Sequence, residues 1–281
     1  MLRSVLLPTD LANGSDLVLA FAAGLPKLGV ERVVLANVVD DAGLEGPVID
    51  AEVAERRGKL RGAGEQLSDV GLAVETRVTA GEPKESLMAL ARETGVDGIV
   101  CGTHARGVVD QLFLGSVSDR VLREGDIPRL VVRFDLLSNS AEPGTICASF
   151  ASKLLVPTDF SATSTRAFLA ALELPSQAIG TVFVMHALDP ALAGDERRQA
   201  EEDAESQLRT LCDKAAERGI SAHPVVGFAE PVHAILAEVE ARRITGIVIG
   251  TRGRSPLQEA LLGSVSMALV RQASCPLMVM S

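Results

Sequence analysis

Two stretches of the chain combine residue types that hold an anion rather than attack one: "GTHARGVVDQLFLGSVS" from Gly102 and "GTRGRSPLQEALLGSVS" from Gly250. Each begins where a short apolar run ends, "GIVCG" and "GIVIG". Beyond a strand the main-chain N–H groups of Gly250, Thr251, Arg252 and Gly253 lack ladder partners and can form a concave anion nest. Glycine permits positive φ there and lets a ligand approach the backbone. Thirteen residues after Gly250, "GSVS" restarts a helix. This puts the amides of Gly263, Ser264 and Val265, with the Ser264 hydroxyl, at a positive helix end. A phosphate chain held between the two amide clusters is the chemistry this spacing offers. Gly102, Thr103, Gly115, Ser116 and Val117 are the corresponding residues of the first stretch. The plainer alternatives are an ordinary N-cap for each Gly-Ser pair and a solvated role for His104, Arg252 and Arg254.

Residues so placed need elements to hold them, and the chain supplies one set twice. "VLLPTDLANGS" from Val5 returns as "LLVPTDFSATS" from Leu154, and "GEPKESL" from Gly81 as "AEPVHAI" from Ala229. The separation is 149 residues for Asp10 and Asp159, and 148 for Pro83 and Pro231 and for Gly102 and Gly250. So steady an offset means two homologous domains, expected at 1–137 and 150–281. The join lies in the small and turn-forming residues from Asp135 to Ser152, which lack a clear period. Within each copy, short β-branched runs alternate with amphipathic stretches, the pattern of a parallel sheet with crossover helices. Strands are expected near 4–7, 32–39, 73–79, 98–102 and 129–134, then near 153–156, 180–187, 221–226, 246–250 and 276–280. The charged run from Asp195 reads as a helix with Leu208, Leu211, Cys212 and Ala215 on its apolar stripe. Continuous apolar strands imply a sheet covered on both faces. In such α/β sheets ligands bind beyond the carboxyl ends of strands, where the strand order reverses. The loop after the first strand carries Pro8, Thr9 and Asp10, and in the second copy Pro157, Thr158 and Asp159. Each aspartate either meets a ligand or caps the helix that follows.

Composition removes other classes. A formal charge of −10 repels a phosphate backbone, and with neither Trp nor Tyr there is little to stack bases on, so polymeric nucleic acid is not the expected partner. Cys101, Cys147, Cys212 and Cys275 form no CxxC pair and read as small buried hydrophobes in a reducing compartment. The apolar start meets Pro8 and Asp10 too early for a signal peptide, and no run reaches the ~18 apolar residues needed to span a bilayer. These features suggest a soluble cytoplasmic protein without membrane partners. The sequence has no GxxxxGK[ST], GxGxxG, SGGxDS or GxSxG motif, so no nucleophile or base is evident.

The second copy fits GxxG, nine residues, then G[ST], through Gly250, Gly253, Gly263 and Ser264. With "PTD" after the first strand and the duplicated element order, the chain resembles a tandem universal stress protein over nearly its whole length. The resemblance implies two Rossmann-like domains of the adenine nucleotide α-hydrolase type, each with five parallel strands in the order 3-2-1-4-5 and helices on both faces. It also implies ATP as ligand, with or without Mg²⁺. Pro157, Thr158, Asp159 and Ala187 would line the adenosine end, and Gly250, Thr251, Gly253, Gly263, Ser264 and Val265 the ribose and phosphates. The matching positions in the first copy are Pro8, Thr9, Asp10, Val38, Gly102, Thr103, Gly115, Ser116 and Val117. There Ala105 stands where the second glycine is expected. If that position needs positive φ, alanine costs about 1 kcal/mol, roughly a five- to tenfold loss of affinity. The second site is therefore expected to bind better.

The expected role is regulatory, with at most weak ATPase activity. The alternatives are a slow phosphohydrolase or nucleotidyl-transfer enzyme and a nucleotide-free interaction module. The family commonly pairs domains through the last strand. Here "RLVVRF" and "PLMVMS" would do so within one chain or across a homodimer, unless the linker covers those edges.

Overall fold

The computed structural model describes residues 2–11, 14–103, 127–251 and 263–280. The chain divides into two compact units, Met1–Ala148 and Ser149–Ser281. In the first, the strands are β1 (Ser4–Pro8), β2 (Arg32–Val39), β3 (Ala73–Ala80), β4 (Gly98–Thr103) and β5 (Arg129–Arg133). In the second they are β6 (Lys153–Pro157), β7 (Thr181–Ala187), β8 (Ser221–Gly227), β9 (Gly246–Gly250) and β10 (Leu277–Met280). The first unit has the order β3-β2-β1-β4-β5 and the second β8-β7-β6-β9-β10, with every pair parallel. Both follow the expected 3-2-1-4-5 pattern.

That order answers the question of what lies beside the first strand. Val5 and Leu6 are in register with Gly98 and Ile99, and Leu154 and Leu155 with Gly246 and Ile247. The chain leaves the first strand toward one edge and returns on the other side through the fourth. Their carboxyl ends therefore flank the point of reversal where a ligand crevice forms.

The central strands are apolar because both faces are covered. Leu6, Val34, Ala36 and Ile99 pack with Leu87, Met88, Leu90 and Ala91 of helix Pro83–Thr94. Burial of such side chains at ~1.5–3 kcal/mol each is the main source of cohesion. The edge strands depart from the expectation of full cover. β3 and β8 are only partly covered, Glu75 of β3 pairs with Arg32 at 3.1 Å, and β8 contains Pro224. An edge strand tolerates a proline because one row of its backbone groups needs no ladder partner.

Helix Gly194–Ala216 buries Ala204, Leu208, Leu211 and Ala215, while Cys212 is half-buried beside the stripe. The other three thiols are interior. Burial pushes Cys101 and Cys275 up to about 12, with Arg129 opposing the rise at Cys101 and Glu240 adding to it at Cys275. Burial likewise raises Cys147.

The segment expected to be an irregular join is ordered. Phe134–Ser138 and Pro143–Ala148 are short helices of the first unit, with Leu137 and Cys147 fully buried. A five- or six-residue helix is too short to show a period in sequence.

Candidate functional site

The two glycine-rich clusters of the second unit meet. The Gly263 N–H donates to the Thr251 carbonyl at 2.7 Å, and the Ser266 hydroxyl donates to the Gly250 carbonyl at 2.8 Å. These bonds dock the start of helix Ser264–Gln272 onto the carboxyl end of β9. They also correct the expected roles. The Thr251 N–H is engaged by the Met280 carbonyl at 2.7 Å, and the Gly263 N–H by Thr251, so neither amide faces a ligand. The donors left by helix geometry are the first-turn amides of Ser264, Val265 and Ser266, which have no intrahelical carbonyl. The Ser264 side chain is exposed and Val265 half-buried. Ser266, 3% exposed, is a positioning residue that the sequence reading did not single out.

Gly250 sets the other wall. A Cβ built there would lie 2.8 Å from Thr163 Cγ2 and 3.2 Å from the Thr163 carbonyl carbon and oxygen. Only glycine lets helix Ala162–Ala171 close directly on the strand end.

The loop after β6 is built from its threonine. Thr158, 6% exposed, accepts the Phe160 N–H at 3.0 Å through Oγ1, which also lies 3.0 Å from Ser164 Oγ. This tight turn leaves Asp159 half-buried at the lip, where Oδ1 accepts the Ser161 N–H at 3.1 Å. The helix cap is Ser161, whose hydroxyl accepts the Ser164 N–H at 3.2 Å, so Asp159 is not the cap. Phe160 sits at φ 61° and the corresponding Leu11 at φ 57°. A left-handed conformation costs a side-chain-bearing residue ~1–2 kcal/mol, and its recurrence shows that both loops are held to one shape.

A second support was legible only as a shared position. His186 Nδ1 lies 2.7 Å from the Thr158 carbonyl, and its ring centroid is 4.6 Å from that of Phe160. In the first unit Asn37 Nδ2 donates to the Thr9 carbonyl at 2.7 Å. Polar side chains at matching points of two apolar strands were the available signal. His186 precedes Ala187 as Asn37 precedes Val38, and both of these neighbours are half-buried.

In the first unit Thr9 Oγ1 accepts the Leu11 N–H at 3.1 Å, and Asp10 Oδ1 accepts the Ser15 hydroxyl at 2.6 Å. The cap of its helix is Gly14 rather than Asp10. Arg56, paired with Glu52, reaches Asn37 Oδ1 at 3.3 Å. Pro8 is the last residue of β1, and Gly102 and Thr103 the last two of β4, so each strand runs one residue beyond its expected end. His104, Ala105, Gly115, Ser116, Val117, Arg252, Gly253 and Arg254 lie outside the described residues.

The profile of the Universal stress protein family matches residues 1–133 and 151–281. The chain belongs to that family, as two tandem domains. Universal stress protein MJ0577 of Methanocaldococcus jannaschii is 28% identical over 155 residues, covering 47% of this chain and 96% of the relative. YxiE of Bacillus subtilis is 30% identical over 144 residues, covering 46% of this chain and 97% of its own length. A universal stress protein structure from Archaeoglobus fulgidus aligns with 99% of this chain and 98% of its own, at TM-score 0.78 and 25% identity. Single-domain relatives thus correspond to half of this universal stress protein, and the tandem arrangement itself has a solved counterpart. Among the described residues no helix is long and apolar enough to cross a membrane, and no three His, Cys, Asp or Glu side chains are grouped to hold a metal.

Proposed function

We propose that the second unit binds ATP and that the protein acts as a nucleotide-responsive regulator in the cytoplasm. The carrying observation is the 2.7 Å bond from Gly263 N–H to the Thr251 carbonyl, which joins the helix start to the strand end. It supports a rim in which the amides of Ser264 and Val265 and the Ser264 hydroxyl hold phosphates at a positive helix end. Gly250 and Thr251 would line the ribose, with Arg252 and Gly253 completing that wall. Pro157, Thr158, Asp159 and Ala187 would border the adenosine. The residues fit such a ligand because the first-turn amides of Ser264, Val265 and Ser266 need acceptors outside their helix, beside a strand end at Gly250 that has no room for a side chain. Magnesium would arrive with the phosphates, near Asp159. In this reading ATP orders the rim rather than being turned over rapidly. Association through β5 and β10, within a chain or between two chains, belongs to the same proposal.

The test is mass analysis of ligand released from the purified chain, followed by titration with ATP. Ser264→Glu is the informative variant. A carboxylate in the first turn favours the helix through its dipole yet repels phosphate. ATP affinity should fall at least about tenfold, ~1.4 kcal/mol, with folding intact. Unchanged affinity in Ser264→Glu would remove the helix end from the site.

A further inference from the structure

We propose that the outer face of helix Gly46–Ser68 is a docking surface for a second copy of this chain, two such helices packing antiparallel about a twofold axis. The helix lies against β3, burying Leu60, Gly64 and Leu67, at the opposite end of the first unit's sheet from β5. Away from that buried stripe, at helical spacing, stand Ala51, Ala54, Gly58 and Gly62, all exposed. Leu44 and Val48 precede them, 39% and 47% exposed. Glycine in the exposed interior of a helix is unfavourable, and the fold of the chain does not ask for it here. A Cβ at Gly58 or Gly62 would meet no described atom within 4 Å.

The repeat supplies the comparison. Helix Gly194–Ala216 has the same 23 residues and the same place in its own unit. At the positions of Val48, Ala51, Ala54, Gly58 and Gly62 it carries Glu196, Gln199, Glu202, Ser206 and Thr210. That is a face made for water.

The charges say what covers the face of the first helix. From Gly46 to Glu55 it holds Asp50, Glu52 and Glu55 with no base, and from Arg56 to Arg61 it holds Arg56, Arg57, Lys59 and Arg61 with no acid. The helix dipole does not account for this, because the first turn has no acid and the last turn no base. A parallel second helix would set acid on acid. An antiparallel one lays each acidic half on the other's basic half, and the axis makes every such contact twice. Centred between Ala54 and Glu55, the pairing puts Ala51 against Gly58 of the second copy and Val48 against its Gly62, where the missing side chains admit close approach. Asp50 then lies between Arg57 and Arg61 of the second copy. These three residues have no ion pair among the described residues, whereas Arg56 and Glu52 pair within the helix at 2.8 Å, and Lys59 and Glu55 at 2.7 Å.

Sedimentation equilibrium of the intact chain over a range of concentrations, with thermal unfolding beside it, tests the surface. Four proteins are compared: wild type, Gly58→Gln/Gly62→Gln, Asp50→Arg, and Asp50→Arg/Arg57→Asp/Arg61→Asp. Wild type should self-associate with a dissociation constant below about 1 mM. The glutamine pair should weaken that association at least about tenfold while melting no lower than wild type, because glutamine is the better helix former in open space. A purely structural role for the glycines would do the reverse, lowering the melting temperature and leaving association alone. Asp50→Arg should also weaken association at least about tenfold, and the triple variant should restore it to within about threefold, since it exchanges both signs across the axis. No association up to about 1 mM overturns the proposal. So does association that the glutamine pair or Asp50→Arg leaves unchanged, as contact through β5 and β10 alone would give, or a triple variant no tighter than Asp50→Arg.

Discussion

A methyl group at position 250 has nowhere to go. The side chain and the carbonyl of Thr163 both lie within 3.2 Å of where it would stand. Gly250→Ala must push the helix off the strand end, an overpacking cost of ~1–3 kcal/mol. Denaturant unfolding should show that loss, and ATP affinity should fall with it, because the strand end being disturbed is the one onto which the start of helix Ser264–Gln272 docks. At this scale the sequence revealed where residues sit better than what they touch. Asp10 and Asp159 fall in the expected loops, but whether they cap a helix depended on Gly14 and Ser161. Thr251 and Gly263 looked like ligand donors because a strand end and a helix start are normally unsatisfied. Here the Gly263 N–H is taken by the Thr251 carbonyl and the Thr251 N–H by the Met280 carbonyl, partners that no local pattern encodes. Ser266 reads as an ordinary residue of a helix start until its partner, sixteen residues back, is seen.

The neighbouring strands of each crevice are tied at their other ends by one residue, and the two units use different chemistry. In the first, the Asp97 carboxylate accepts the Arg3 N–H at 3.0 Å, the Ser4 N–H at 2.8 Å and the Ser4 hydroxyl at 3.0 Å. In the second, Thr245 Oγ1 accepts the Lys153 N–H at 2.9 Å. Burial raises the Asp97 carboxyl, but the bonds from Ser4 and Arg3 outweigh it and hold it below its ordinary value. A carboxyl lowered by folding stabilises above its unfolded pKa, about 3.9, and that contribution is lost as pH falls through the folded value. Acid should therefore loosen β1 from β4 before it loosens β6 from β9. Hydrogen exchange of the β1 amides between about pH 4 and 2 should show the difference, and Asp97→Thr should abolish it. Strand positions were readable because β-branched runs and turn residues alternate so regularly. The ordered segment after β5 was not, since neither of its helices completes two turns.

Across the whole chain, the duplication was the most legible feature, because a constant offset of 148 to 149 residues survives even where identities do not. What duplication concealed is inequality: copies that align well carry a glycine against a threonine at Gly14 and Thr163, and an asparagine against a histidine at Asn37 and His186. The thiols carry a final consequence. Oxidants and alkylating reagents attack thiolates, and a thiol kept protonated in the interior reacts slowly. With Cys101, Cys147 and Cys275 so held, iodoacetamide should modify the native protein mainly at Cys212, and slowly there, because burial and Asp213 raise that thiol too. All four should react in denaturant, a count that peptide mass mapping can verify. Peroxide, which attacks the same thiolates, should likewise modify Cys212 before the three interior thiols.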